Sequence, residues 1–187
     1  MGLLITGLLM WCAVHLFPSV AAGTRTSLVN KFGLGPYKAC FAMLIIISIV
    51  IMVFGWRSIE PSDIYIPPPW VRHATYLLVL LTFILFVAAK RKTNIKRVLR
   101  HPQLTGLVLW SIGHLFANGD NRSLVLFIAL GLWAILEMII INRRTGAWVK
   151  PAPVPVKSDF ITVFGGLILF AVLFLAHPYL TGIRLIS

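Results

Sequence analysis

Two histidines, His15 and His114, hold matching places in a segment that the chain carries twice. Residues 6–17 read TGLLMWCAVHLF, and 99 positions later residues 105–116 read TGLVLWSIGHLF. Seven of the twelve positions are identical, and the matches at Thr, Gly, Trp and His do not follow from the leucine bias that makes apolar segments look alike. In each copy the tryptophan stands four residues before the histidine (Trp11 and His15, Trp110 and His114). On a helix, ring and imidazole then share a face, with Gly7 or Gly106 one further turn back.

Neutral imidazole ligates iron, copper and zinc, and two imidazoles on facing helices can hold haem iron from both sides, with small residues making room for the ring. His15 and His114 are therefore candidate axial ligands, with Trp11, Trp110, Cys12, Ser111, Gly7 and Gly106 as supporting residues. A protein-ligated zinc site usually takes three or four donors. The two repeat segments hold no Asp or Glu, and Cys12 is their one extra soft ligand. A proton relay would draw on a series of acidic groups, and Glu137, beside Arg143 and Arg144, is the one acid inside an apolar span. It is expected to pair or snorkel. The competing structural reading has each histidine bonded to a carbonyl across a helix interface, with the repeat kept as a packing motif.

The elements that must position these residues are membrane helices. Of 187 residues, 59% are hydrophobic and 12% charged, and the mean hydropathy is +0.92. These values define an all-α, polytopic membrane helix bundle. Apolar runs near the ~20 residues of one crossing fall at residues 2–22, 37–56, 72–89, 103–117, 123–141 and 160–181. The fourth is short, so five crossings are the alternative to six.

Six crossings sort the loops into two sets. One holds Arg25, Lys31, Lys38, Lys90, Arg91, Lys92, Lys96, Arg97, Arg100, Arg143, Arg144, Lys150 and Lys157, 13 of the 17 basic residues; the other holds Arg57, Arg72, Arg122 and Arg184. By the positive-inside rule the first set is cytoplasmic and both termini lie outside. The net charge of +12 sits in short loops beside apolar spans, where orientation and anionic lipid account for it, so the partner is the bilayer and not nucleic acid. No Lys or Arg precedes the first apolar run, so that run is expected to be retained and not cleaved as a signal peptide. Cys12 and Cys40 have no CxxC spacing and offer no disulfide framework.

Three crossings separate the repeat copies, so they run in opposite directions. The chain then forms one integral membrane domain, 1–187, built as an inverted 3+3 repeat with halves of about 1–92 and 93–187. Sites in such folds form near the midplane between the halves. Pro18 removes an amide just past His15 and is expected to kink the first helix. Residues 117–120 (ANGD) end the fourth. His73, His101 and His177 fall at span edges, where structural or interfacial roles are expected, with Pro102 suited to a first helical turn. Residues 67–69 (PPP) and 151–155 (PAPVP) read as stiff connectors.

His15-Leu16-Phe17-Pro18-Ser19, Arg100-His101-Pro102-Gln103, residues 110–120 (WSIGHLFANGD) and His177-Pro178-Tyr179-Leu180 together resemble the NnrU family of bacterial membrane proteins, over nearly the whole chain. The resemblance implies an inner-membrane protein linked to nitrite and nitric oxide reduction in denitrifying bacteria, with membrane partner proteins of that process. The family is similar in turn to the 15-cis-zeta-carotene isomerase of plants and cyanobacteria, a membrane enzyme with haem b whose histidine ligands match His15 and His114. That implies haem b here, and an isomerase or redox activity. The isomerase pattern has a cysteine three residues before its second histidine, where this chain has Ser111; Cys12 takes the matching place in the first copy. The alternatives are a membrane accessory or transport protein without haem, or an isomerase acting on a lipid-phase polyene.

Overall fold

The computed structural model describes residues 1–182 and Leu185, so the predicted placement of Arg184 lies outside the described residues. Those residues form seven α-helices and no sheet: α1 (Gly2–Val20), α2 (Ala22–Phe32), α3 (Leu34–Arg57), α4 (Val71–Lys90), α5 (Pro102–Ala117), α6 (Asn121–Thr145) and α7 (Val156–Thr181). A 3-10 turn at Asn94–Arg97 links α4 to α5. Five helices, α1, α3, α4, α6 and α7, are long and apolar enough to cross a membrane. The short fourth run becomes α5, whose 16 residues rise about 24 Å against a hydrocarbon layer of roughly 30 Å.

Short as it is, α5 runs the depth of the bundle. Thr75 and Thr82 of α4 donate their hydroxyls to the carbonyls of Gly113 and Gly106, both at 2.9 Å, so α4 and α5 are antiparallel. Gly131 of α6 faces Ser111, and Met138 of α6 meets Thr105, so α5 and α6 are antiparallel as well. Meanwhile α1 runs alongside α6 in the same direction, from Leu4 and Leu8 against Leu130 to Ser19 bonded to Glu137. The two repeat helices, α1 and α5, therefore point in opposite directions, as an inverted repeat requires.

Close packing in lipid depends on small residues and interhelical hydrogen bonds, because the solvent is as apolar as the side chains. A Cβ at Gly7 would meet Met52 of α3 at 2.7 Å, and one at Gly55 would meet the Leu4 Cα at 2.7 Å. At Gly106 it would meet Phe86 of α4 at 3.0 Å. The equivalent glycines thus serve different partners, α3 for the first copy and α4 for the second.

The thirteen basic residues of the larger set gather at one end of the bundle, where α1, α4 and α6 finish and α3, α5 and α7 start. Pro18 lies within α1, and the chain breaks three residues later at Ala21 to enter α2, an 11-residue helix too short to cross. At the same end Asp159 of α7 accepts from the Thr93 hydroxyl (2.5 Å), the Asn94 amide (2.8 Å) and the Asn94 side chain (2.7 Å), latching the 3-10 turn onto α7.

Candidate functional site: the histidines of α1 and α5

The two histidines are held in the same way. His15 Nδ1 lies 3.0 Å from the Trp11 carbonyl and His114 Nδ1 lies 2.8 Å from the Trp110 carbonyl, each one turn earlier in its own helix. A carbonyl can only accept, so both rings carry their proton on Nδ1 and present Nε2 as a lone pair. A ligating histidine has the same arrangement: its outer nitrogen donates to a carbonyl or carboxylate and the inner one faces the metal.

Around them the walls are aromatic. The His15 ring meets Trp11 (4.0 Å between centroids), Trp133 of α6 (5.3 Å) and Phe41 of α3 (5.7 Å). His114 meets Trp110 (4.4 Å) and Phe127 of α6 (4.7 Å). The imidazoles do not touch each other. They contact α6 at Trp133 and Phe127, six residues and about 9 Å of helical rise apart. Because side chains lean toward the N-terminus of their own helix and α1 and α5 are opposed, both imidazoles lean toward the level between them.

That level is occupied by the two tryptophans of the repeat and a crevice of ≈ 310 Å³. It is lined by Trp11, Met52, Phe83, Phe86, Trp110 and Leu130, among others, all of them apolar or aromatic. Residues of α3 and α4, consecutive in the chain, both wall it, though these helices do not pack along each other. An imidazole bonded through Nδ1 with Nε2 left over is the donor type that haem iron takes, but neither histidine lines the crevice itself, whose wall between them is formed by the Trp11 and Trp110 rings. Among the described residues no cluster of three or more His, Cys, Asp or Glu side chains could hold a bare metal ion.

The supporting residues divide. Trp11 and Trp110 line the crevice, Gly7 and Gly106 set helix contacts, and Ser111 is buried with its hydroxyl unpartnered beside Gly131. Cys12 is a free thiol, half-buried, and Cys40 is free and exposed. His101 stands at the N-cap position of α5, where Pro102 opens the helix, but its side chain makes no capping bond; its Nε2 lies 2.9 Å from the Asn142 side chain of α6.

Glu137 differs from its sequence expectation. It neither snorkels nor pairs with an arginine: it is buried at 6% exposure, one carboxylate oxygen accepts the Ser19 hydroxyl, and the other has no protein partner. Arg144 instead donates to the Pro18 carbonyl at 2.8 Å, one of the acceptors left free where α1 ends. Glu137 lies within electrostatic reach of His15, and His177 of α7 within reach of His114. Neither neighbour was legible in the sequence, since both come from helices outside the repeat copies.

At the far end from the basic residues, the loop between α3 and α4 folds over the turn that follows His114. The Ile64 amide donates to the Gly119 carbonyl at 2.8 Å, and the Tyr65 hydroxyl donates to the carbonyls of Leu115 and Asn118. A Cβ at Gly119 would collide with the Tyr65 main chain. Burial, then the nearby Asp120 carboxylate, holds the Tyr65 phenol above its ordinary value. Arg122 anchors the same region, stacked on Trp56 at 4.7 Å and paired with Asp120 at 3.6 Å.

The family model for NnrU protein matches residues 3–185, nearly the whole chain, and the protein belongs to that family. No curated protein and no solved structure shows significant similarity to it.

Proposed function

We propose that this NnrU-family membrane protein holds one haem b between α1 and α5, with His15 and His114 as axial ligands, and serves nitrite or nitric oxide reduction at the bacterial inner membrane. The observation that carries the reading is the matched pair of Nδ1 to carbonyl hydrogen bonds on opposed helices, which leaves both Nε2 atoms without a protein hydrogen bond. The haem, when bound, supplies one-electron chemistry at iron. The chain's own part is to fix each imidazole through Trp11 or Trp110 and to exclude water with Phe83, Phe86, Met52 and Leu130. The link to nitrogen-oxide reduction and its membrane partners rests on family membership. The positive-inside rule places the basic end in the cytoplasm and both termini outside.

The second reading is a membrane accessory protein without haem. It is favoured by the Trp11 and Trp110 rings, which lie between the histidines and pack on one core of Leu4, Leu8 and Leu130. An isomerase acting on a lipid-phase polyene keeps the same histidines and would use the apolar crevice walled in part by α3 and α4. The test is haem content. Protein purified from haem-supplied cells should carry about one haem b per chain by pyridine haemochrome assay, and His15→Ala and His114→Ala should each lose most of it. Haem-free wild type would decide for the accessory reading.

A further inference from the structure

Toward the basic end, near the break at Ala21, lies a second cavity, separate from the crevice between Trp11 and Trp110. Further from that end, α1 and α3 are drawn together where Gly7 and Gly55 leave no room for a side chain. Toward Ala21, side chains of α1, α2 and α3 line a gap between these helices. The result is an open groove of ≈ 370 Å³ walled by Val14 and Phe17 of α1, Leu28 of α2, and Tyr37, Phe41 and Leu44 of α3. From Tyr37 to Leu44 it rises about 10 Å, against the ~15 Å of hydrocarbon in one leaflet, half of a 30 Å layer.

The mouth of this groove is cationic. Arg25 stacks over Tyr37 at 5.6 Å, Lys38 adjoins it in sequence, and Lys31 lies on the same short helix as Arg25. The chain has no acidic residue before Glu60, and the described residues contain a single salt bridge, Arg122 to Asp120, at the opposite end. Of the two acids near the basic end, Asp159 is bonded to Thr93 and Asn94, and Glu137 is buried against Ser19. The mouth therefore has positive charge with no carboxylate to balance it. In the groove wall the Tyr37 hydroxyl is shielded from water and has no protein acceptor.

We propose that this groove binds an anionic glycerophospholipid, with one acyl chain between α1 and α3 and the headgroup phosphate between Arg25 and Lys38. An apolar slot about two thirds as deep as the hydrocarbon of one leaflet takes the first part of the chain, and unbalanced cations at its mouth match the phosphate. The groove shares no lining residue with the crevice between Trp11 and Trp110, although its wall residue Phe41 also meets the His15 ring at 5.7 Å.

Native mass spectrometry of the detergent-purified, delipidated full chain tests the proposal, with phosphatidylglycerol and phosphatidylcholine added in turn. Wild type should retain one phosphatidylglycerol in preference to phosphatidylcholine. Arg25→Ala with Lys38→Ala should weaken retention about thirtyfold. Ala13→Phe, which fills the groove wall, should also lose it, while Arg91→Ala with Lys92→Ala, on the same end but away from the groove, should keep it. Equal retention of the two lipids by wild type would overturn the proposal. So would undiminished phosphatidylglycerol in the Arg25 and Lys38 variant, or an equal loss in the Arg91 and Lys92 control.

Discussion

His114 Nδ1 stands 2.8 Å from the main-chain carbonyl of Trp110, and this one bond decides which nitrogen of the ring is free. With Nδ1 protonated, Nε2 is the atom left to ligate. If it does, the protein part of the bond is replaceable. A His114→Gly variant should lose its haem spectrum and recover it when imidazole is added to the detergent solution, read by visible absorption. A spectrum that imidazole leaves unchanged would count against ligation through this ring.

Ser19 and Glu137 join α1 to α6 across 118 positions of sequence. Removing the hydroxyl leaves a buried carboxyl with neither oxygen bonded. Ser19→Ala should cost about 1–3 kcal/mol in thermal or denaturant unfolding in detergent. Adding Glu137→Leu should restore most of the loss, because an apolar side chain needs no partner there. Additive destabilisation in the double variant would mean that the pair is not coupled.

Gly55 accepts no side chain, since its Cβ would meet the Leu4 main chain. Gly55→Val should destabilise by at least the ~1–3 kcal/mol of an overpacked core. Gly2→Ala, with open space around it, should be neutral. The unfolding temperatures of the two variants measure the contrast.

Tyr65 ties the α3–α4 loop to the turn after His114 through its phenolic proton. The folded value is raised, so the contribution is complete below the ordinary phenol range near pH 10 and is lost as pH climbs through the higher folded value. Hydrogen exchange of residues 62–66 should stay slow up to that range and quicken above it. In Tyr65→Phe the exchange should be fast at every pH, with no such step.

Asp159 holds the 3-10 turn to α7 with three hydrogen bonds. Asp159→Ala should open the segment 91–101 to protease while leaving helix content by circular dichroism unchanged. Unaltered cleavage would show that the turn is held by other contacts.

Most of the architecture could be read from apolar run length. The six runs at residues 2–22, 37–56, 72–89, 103–117, 123–141 and 160–181 correspond to α1, α3, α4, α5, α6 and α7 within a few residues at each end. The opposed directions of the repeat helices followed from counting crossings. What escaped was α2, which lacks the length and hydropathy that mark a span, and the split in the glycine contacts, because a repeat predicts equivalent residues and not equivalent neighbours. Glu137 was misjudged for a physical reason. Its sequence neighbours Arg143 and Arg144 made an ion pair the economical choice, but Arg144 is taken up by carbonyls at the end of α1 and Ser19 arrives from a distant part of the chain. The histidines could be found from the repeat alone, whereas Phe127 and Trp133, which set their levels on α6, carry no sequence mark.

The central claim, that His15 and His114 share one haem, is tested most directly by the dithionite-reduced minus oxidised absorption spectrum of protein from haem-supplied cells, recorded for wild type, His15→Ala and His114→Ala. The account predicts a Soret band with sharp reduced bands in wild type, lost or converted to a five-coordinate spectrum in each single variant. A colourless wild type, or a spectrum that survives both substitutions unchanged, would contradict it.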